Sequence, residues 1–232
     1  MRIASINVSK VREISHSGSI VRTGIFKVPV SGRVRLRPLS LDGDDQADLE
    51  NHGGIYKAVY AYPAEHYEFW MQQINRSDLA FGQFGENLTV EGLLEDEIHV
   101  GDIFQVGSAV VEVTQPRTPC YKLGIKMGLP EFPKRFLASG RVGFYLRVIQ
   151  EGEIGAGDTM ECTDRDPESM SVREISHLKY FDRENLKAIK KALKIRALSP
   201  QWRDSFGDRS AELMGRLEER EGLEEAAKPL EL

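Results

Sequence analysis

A mainly β fold of the α+β class, a distorted barrel followed by a small helical domain, is predicted by two patterns and the point where they change. Residues 1–166 alternate apolar and polar side chains with period two, punctuated by Gly and Asp, with few helical stretches. After Asp166-Pro167 the apolar spacing becomes helical, opening on the capping box Ser171-Val172-Arg173-Glu174. Many short strands with little helix suit a sheet that curls on itself. The chain therefore divides into a β domain, 1–166, and a helical domain, 167–232.

The alternating runs predict strands over 2–8, 24–28, 33–37, 57–62, 87–91, 103–106, 109–115, 142–150 and 158–162. Gly101-Asp102 and Gly157-Asp158 each set a turn directly before a strand. Pro63 suits the first turn of a helix over 64–74, and a second helical insert is expected over 131–138. In the helical domain, Asp182 is expected to cap a helix through Leu193, with Leu186, Ile189 and Leu193 on one face. Ser199-Pro200 begins another, carrying Trp202 and Phe206 and stopped by Gly207, and a charged helix over 208–221 follows. No internal repeat or low-complexity tract interrupts this order.

Composition narrows the function classes. A chain of 232 residues buries roughly 70–75% of its unfolded surface and needs no disulfides to hold a core. A net charge of −5 argues against bulk electrostatic binding to nucleic acid or anionic membranes. Two cysteines, Cys120 and Cys162, are too few for a secreted disulfide framework, and they lack the close spacing of a zinc site. With neither a signal-like apolar segment near Met1 nor a run of membrane-spanning length, a cytoplasmic protein is expected.

Cys120 is the leading candidate for chemistry. It closes Gln115-Pro116-Arg117-Thr118-Pro119-Cys120, where two prolines stiffen the chain as it leaves a strand. A rigid thiol with polar neighbours is placed to react, whereas Cys162, in an apolar strand, reads as a buried hydrophobe. Arg33, Arg35 and Arg37 alternate along one strand and so share a face; they either bind an anion or form an exposed face balanced by Asp42, Asp44 and Asp45. In Asn51-His52-Gly53-Gly54-Ile55-Tyr56-Lys57, paired glycines leave amides for an anion, with His52 and Lys57 beside them; a plain glycine turn is the alternative. Phe84-Gly85-Glu86-Asn87 presents Asn87 either to a pocket or to turn chemistry. The other histidines read as ordinary surface or core residues, and the common nucleotide, hydrolase and zinc-protease motifs are absent. Pairing of Cys120 with His52 as nucleophile and base stays open at this level.

Taken in order, Lys27-Val28-Pro29-Val30, Leu41 to Asp48, His52-Gly53-Gly54 with Lys57-Ala58-Val59-Tyr60, Phe84 to Leu88 and Gln115 to Cys120 resemble the MOSC domain, found at the C-terminus of molybdenum cofactor sulfurases. The chain is most similar to the YiiM-like group, in which a MOSC β-barrel is followed by three helices. The resemblance implies that the molybdenum cofactor is bound, with Cys120 as the metal-ligating and catalytic thiol; pyridoxal phosphate is not expected. Molybdopterin carries a phosphate and a dithiolene, so Arg33, Arg35, Arg37, His52, Gly53, Gly54, Lys57, Asn87, Arg117 and Thr118 become the expected cofactor-binding residues. Arg117 beside Cys120 favours the thiolate, a soft ligand. The implied activity is reduction of small N-hydroxylated compounds, such as 6-hydroxylaminopurine, in detoxification. The implied partner is an electron-donating flavoprotein or similar reductase, and a homodimer is compatible with the pattern. Two alternatives stand beside this: a Cys120 persulfide that carries sulfur to a metal cofactor, and a non-catalytic anion-binding module. The helical segment is then a docking or oligomerisation element, or a cover for a barrel edge.

Overall fold

The computed structural model describes residues 1–48 and 53–226. Twelve strands run in chain order as β1 (Arg2–Val8), β2 (Arg12–His16), β3 (Ser19–Thr23), β4 (Val28–Val30), β5 (Arg33–Leu36), β6 (Val59–Pro63), β7 (Leu88–Glu91), β8 (Ile103–Val106), β9 (Ala109–Pro116), β10 (Phe144–Gln150), β11 (Gly152–Gly155) and β12 (Met160–Asp164). The helices are α1 (Glu65–Gln73), α2 (Tyr121–Met127), α3 (Phe132–Ala138), α4 (Val172–Tyr180), α5 (Leu186–Ala192) and α6 (Pro200–Ala226).

Eight strands form one sheet in the order β12-β8-β9-β10-β6-β7-β1-β4. Its pairings are antiparallel except β6 with β7. Parallel neighbours need a crossover, and α1 supplies it. This explains the one early helix in a β region. The sheet curls but does not close as the expected barrel would. Its end strands β12 and β4 do not pair, and the start of β1 meets the turn before β12 through one bridge, Arg2 to Thr159, with Ile3 N–H donating to Asp158 O at 3.0 Å. A separate ribbon of β5 and β11 packs against β1 and β9 instead.

Several elements differ from expectation for identifiable reasons. The run 24–28 is not a strand; the chain there leaves a β2–β3 hairpin and pairs only at β4. The hairpin turns through Ser17 and Gly18, both at positive φ, a primed two-residue turn that suits strand twist. Asn185, rather than Asp182, caps α5: its side chain accepts from Ala188 N at 3.0 Å while donating to Asp182 at 2.8 Å. Gly207 does not end a helix, because the buried stripe Trp202, Phe206, Ser210 and Leu213 continues through it. Packing of that stripe outweighs a glycine penalty of about 1 kcal/mol. The capping box at Ser171 forms as predicted, with both reciprocal hydrogen bonds present.

One apolar cluster spans sheet and helices, joining Phe104, Val111 and Leu146 to Ile175, Ile189, Trp202 and Phe206. The helical segment thus shares the sheet's core, and α4 lies against β9. A second, aromatic cluster under α1, α2 and α3 contains Tyr60, Tyr62, Trp70, Phe84, Phe132 and Phe136. Cys162 is partly buried against the first cluster, and burial pushes its thiol pKa up. Among the described residues, no helix is long and apolar enough to cross a membrane.

Because the core is shared, Phe206→Ala is expected to cost about 3–5 kcal/mol. Unfolding should remain one transition in which backbone and aromatic circular dichroism coincide. Separate transitions for the two segments would contradict the shared core.

Candidate functional site

Strand register sets the site's side chains in a row. Gln115 of β9 lies opposite Tyr145 of β10, which lies opposite Tyr60 of β6. Asn87 extends the row: its N–H donates to Tyr60 O at 2.8 Å, its Oδ1 accepts from Tyr60 N at 3.1 Å, and its Nδ2 donates to Asp44 at 2.9 Å. Asn87 therefore ties the sheet to the loop that carries Asp44. Asp44 also accepts from Ser9 N and Ser40 Oγ and forms a buried ion pair with Lys27.

Where β9 ends, the proline-bounded segment buries Arg117 and leaves Thr118 exposed. Cys120 follows, half-buried, at the N-cap position of α2. A cleft of about 100 Å³ brings together Lys27, Asp44, Lys57, Tyr60, Arg117 and Cys120. A second cleft of about 200 Å³ meets it at Lys57, Cys120 and Tyr145; its far wall is α4 and α6.

Desolvated cations lie in and beside the first cleft, with Asp44, Asp45 and Asp48 also in its lining. Burial lowers the pKa of Lys27 despite Asp44, and lowers that of Lys57 despite Asp48. Lys126 donates to Ile25 O at 2.8 Å and to Gly82 O. Burial, against the pull of Glu86 and with help from Lys27, Arg117 and Arg12, pushes its pKa down to about 7. Burial also works against the charge of Arg117, but Tyr60, Tyr145 and Cys120 outweigh it and hold its pKa above the usual arginine value. Its guanidinium donates to Phe84 O and lies 4.5 Å over the Tyr60 ring. Glu86, fully buried, accepts from Tyr67 Oη, Gly82 N, Phe84 N and Thr89 Oγ1.

Of the residues expected from sequence, Lys57, Asn87, Arg117 and Cys120 meet in the first cleft, and Thr118 lines the second, sharing a 2.6 Å hydrogen bond with Tyr180 Oη. Arg33, Arg35 and Arg37 are elsewhere. Arg33 and Arg35 share an exposed face of β5, as the alternation predicts, and exposed Arg37 follows it; β5 pairs with β11, whose flanks supply carboxylates. Arg33 pairs with Asp158 at 3.0 Å, Arg35 with Glu151 at 3.6 Å, and Arg37 with Asp42. The exposed, balanced reading of these arginines holds, with mostly different acids. Gly53 and Gly54 do not line either cleft. The Gly54 amide donates to Gln46 Oε1 at 3.1 Å, and its φ of +86° turns the chain into a short helix over Ile55–Lys57. His52 lies outside the described residues. Sequence reasoning missed Gln115, Tyr60, Tyr145, Lys122 and, in α4, Lys179 and Tyr180 as cleft residues. Gln115 carried the one usable signal, a polar side chain at the end of an apolar strand.

Residues 48–161 match the MOSC domain, and residues 170–211 match the YiiM-like, 3-alpha helix domain. The uncharacterized protein YflK of Bacillus subtilis is 43% identical over 204 residues, 88% of this chain and 92% of YflK. The chain belongs to the YiiM-like MOSC family. The crystal structure of YiiM from Geobacillus stearothermophilus superposes with a TM-score of 0.78 at 38% identity, covering 90% of this chain and 98% of that one. A protein named "Reductase" from Gibberella moniliformis is 32% identical over 69% of this chain, a stretch that makes up 29% of the fungal protein.

An anionic, sulfur-rich cofactor fits this donor set. Arg117 and Lys27, desolvated beside Cys120 in the first cleft, suit a phosphate, and a half-buried thiol offers a soft ligand. Among the described residues no three His, Cys, Asp or Glu side chains converge on one point.

Folded Lys126 loses its proton at about pH 7, and unfolded lysine at about 10.4. Between these values the unfolded chain binds more protons, so stability rises with pH; below them the burial penalty is fully present. Relative to Lys126→Met, the unmodified protein is expected to gain up to roughly 4 kcal/mol from pH 7 to 10, as urea unfolding would read. A pH-independent difference between the two proteins would contradict this.

Proposed function

We propose that this chain is a molybdenum-cofactor-dependent reductase that converts small N-hydroxylated compounds to the parent amines. The observation that carries the reading is the convergence of Cys120 with the buried cations Arg117 and Lys27 on one cleft. The similarity to MOSC proteins and to a protein named for reductase activity supports it. When bound, the cofactor supplies the metal and the two electrons. The overall conversion takes an N-hydroxyl compound, two electrons and two protons to the amine and water.

The chain's own residues do the rest. Cys120 Sγ contributes a single soft ligand from a segment stiffened by Pro116 and Pro119. Arg117, Lys27, Lys57 and Lys122 offset the cofactor's negative charge, and the desolvated setting strengthens each attraction. Asn87, locked by Tyr60 and Asp44, keeps that face of the cleft in one arrangement. Electrons come from a flavoprotein or similar reductase, and a detoxifying role against compounds such as 6-hydroxylaminopurine follows from the substrate class.

Protein made in a cofactor-competent host is expected to carry about one molybdenum per chain, read by metal analysis and pterin fluorescence. Cys120→Ser should lower turnover of 6-hydroxylaminopurine by roughly 100-fold or more, since even outer-shell changes at metal sites cost about 10–100-fold. Protein without molybdenum from that host would remove the reading. A labile extra sulfur on Cys120 in the mass spectrum, with activity independent of molybdenum, would replace it with persulfide transfer.

A further inference from the structure

We propose that the second cleft, between the end of β9 and helices α4 and α6, is a binding subsite for a small planar heterocycle that donates an N–H or O–H hydrogen bond to Gln115 Oε1. Gln115 is 1% exposed, and its Oε1 has no hydrogen-bond partner among the described residues. A buried acceptor left unmade costs about 1–3 kcal/mol, so such atoms normally answer to something. The amide orientation is constrained as well. Nε2 faces Pro116 O at 3.5 Å, and that carbonyl only accepts, so turning the amide over would set two oxygens against each other.

The opposite wall is complementary. Tyr180 Oη and Thr118 Oγ1 share a hydrogen bond in which either can donate, so the pair can reorient to a ligand donor or acceptor. Lys179 places its ammonium 4.3 Å over the Trp202 ring, facing the same space. Lys57 Nζ donates to Gln201 Oε1 at 2.9 Å and so ties α6 to the edge that carries Cys120. One fixed acceptor, one adaptable hydroxyl pair and a cation select a ligand with donors at one end and ring acceptors at the other. A hydroxylamino-substituted heterocycle has both. At about 200 Å³ the cleft is smaller than a typical drug-sized pocket and admits one such ring. Cys120 and Tyr145 line both clefts, so a ligand here lies next to the thiol. The choice of substrate class rests on the reductase reading; the subsite rests on Gln115 and the wall facing it.

The test uses the full-length protein as purified, titrated with 6-hydroxylaminopurine by calorimetry, alongside Gln115→Met and Lys179→Met. The unmodified protein is expected to bind, and each variant to bind at least ten-fold more weakly with an unchanged thermal melt. No binding by the unmodified protein, or equal binding by both variants, would overturn the subsite. If Gln115→Met fails to fold, Lys179→Met decides alone, since its side chain lies at the rim. In molybdenum-loaded protein the same variants should raise KM far more than they lower kcat. Probe binding without any reduction leaves the subsite and removes the reductase reading. Reduction with unchanged KM in both variants removes the subsite and leaves that reading.

Discussion

The cleft depends on one buried negative charge. Glu86 has no exposed surface, and it satisfies its oxygens with four donors drawn from Tyr67, Gly82, Phe84 and Thr89. Those bonds fix the loop between α1 and β7, and the same loop offers Phe84 O to Arg117. The charge also opposes the burial penalty at Lys27 and Lys126. An ionised carboxylate is costly to bury unless hydrogen bonds and counter-charges surround it. Glu86 has both, and it permits three cations to stand close together out of water. The balance is still incomplete, since both lysines keep lowered pKa values.

How much of this was legible in the sequence follows from which interactions are local. The capping box at Ser171 is written in four consecutive residues and forms as read. Cys120 stood out because flanking prolines announce a stiff, exposed exit from a strand. The β2–β3 hairpin escaped notice because both its strands are largely exposed and lack the alternation that burial imposes. Helix α2 was missed because Gly124 interrupts it, yet there the glycine is buried against the chain at Leu129 and Pro130, where a side chain would crowd the backbone. Gly207 misled in the opposite sense, since a stop signal yields when a buried stripe continues beyond it.

The site itself was half legible. Lys57, Asn87, Arg117 and Cys120 lie in motifs that mark the family, and they do meet. Arg33 and Arg35 could not be assigned because their partners, Asp158 and Glu151, sit in the connections flanking β11, more than a hundred residues later. Lys179 and Tyr180 reach Cys120's neighbourhood only because α4 packs on β9, a contact no local pattern encodes. The helical segment is therefore a wall of the site as well as part of the core.

An open sheet has two raw edges, and each invites another chain to add a strand. Here both are blunted. β4 is three residues long and holds Pro29, which has no N–H to offer a newcomer. β12 turns Glu161, Thr163 and Asp164 outward at the other side. The fold thereby gives up the self-sealing of a closed barrel and still discourages strand addition at both edges.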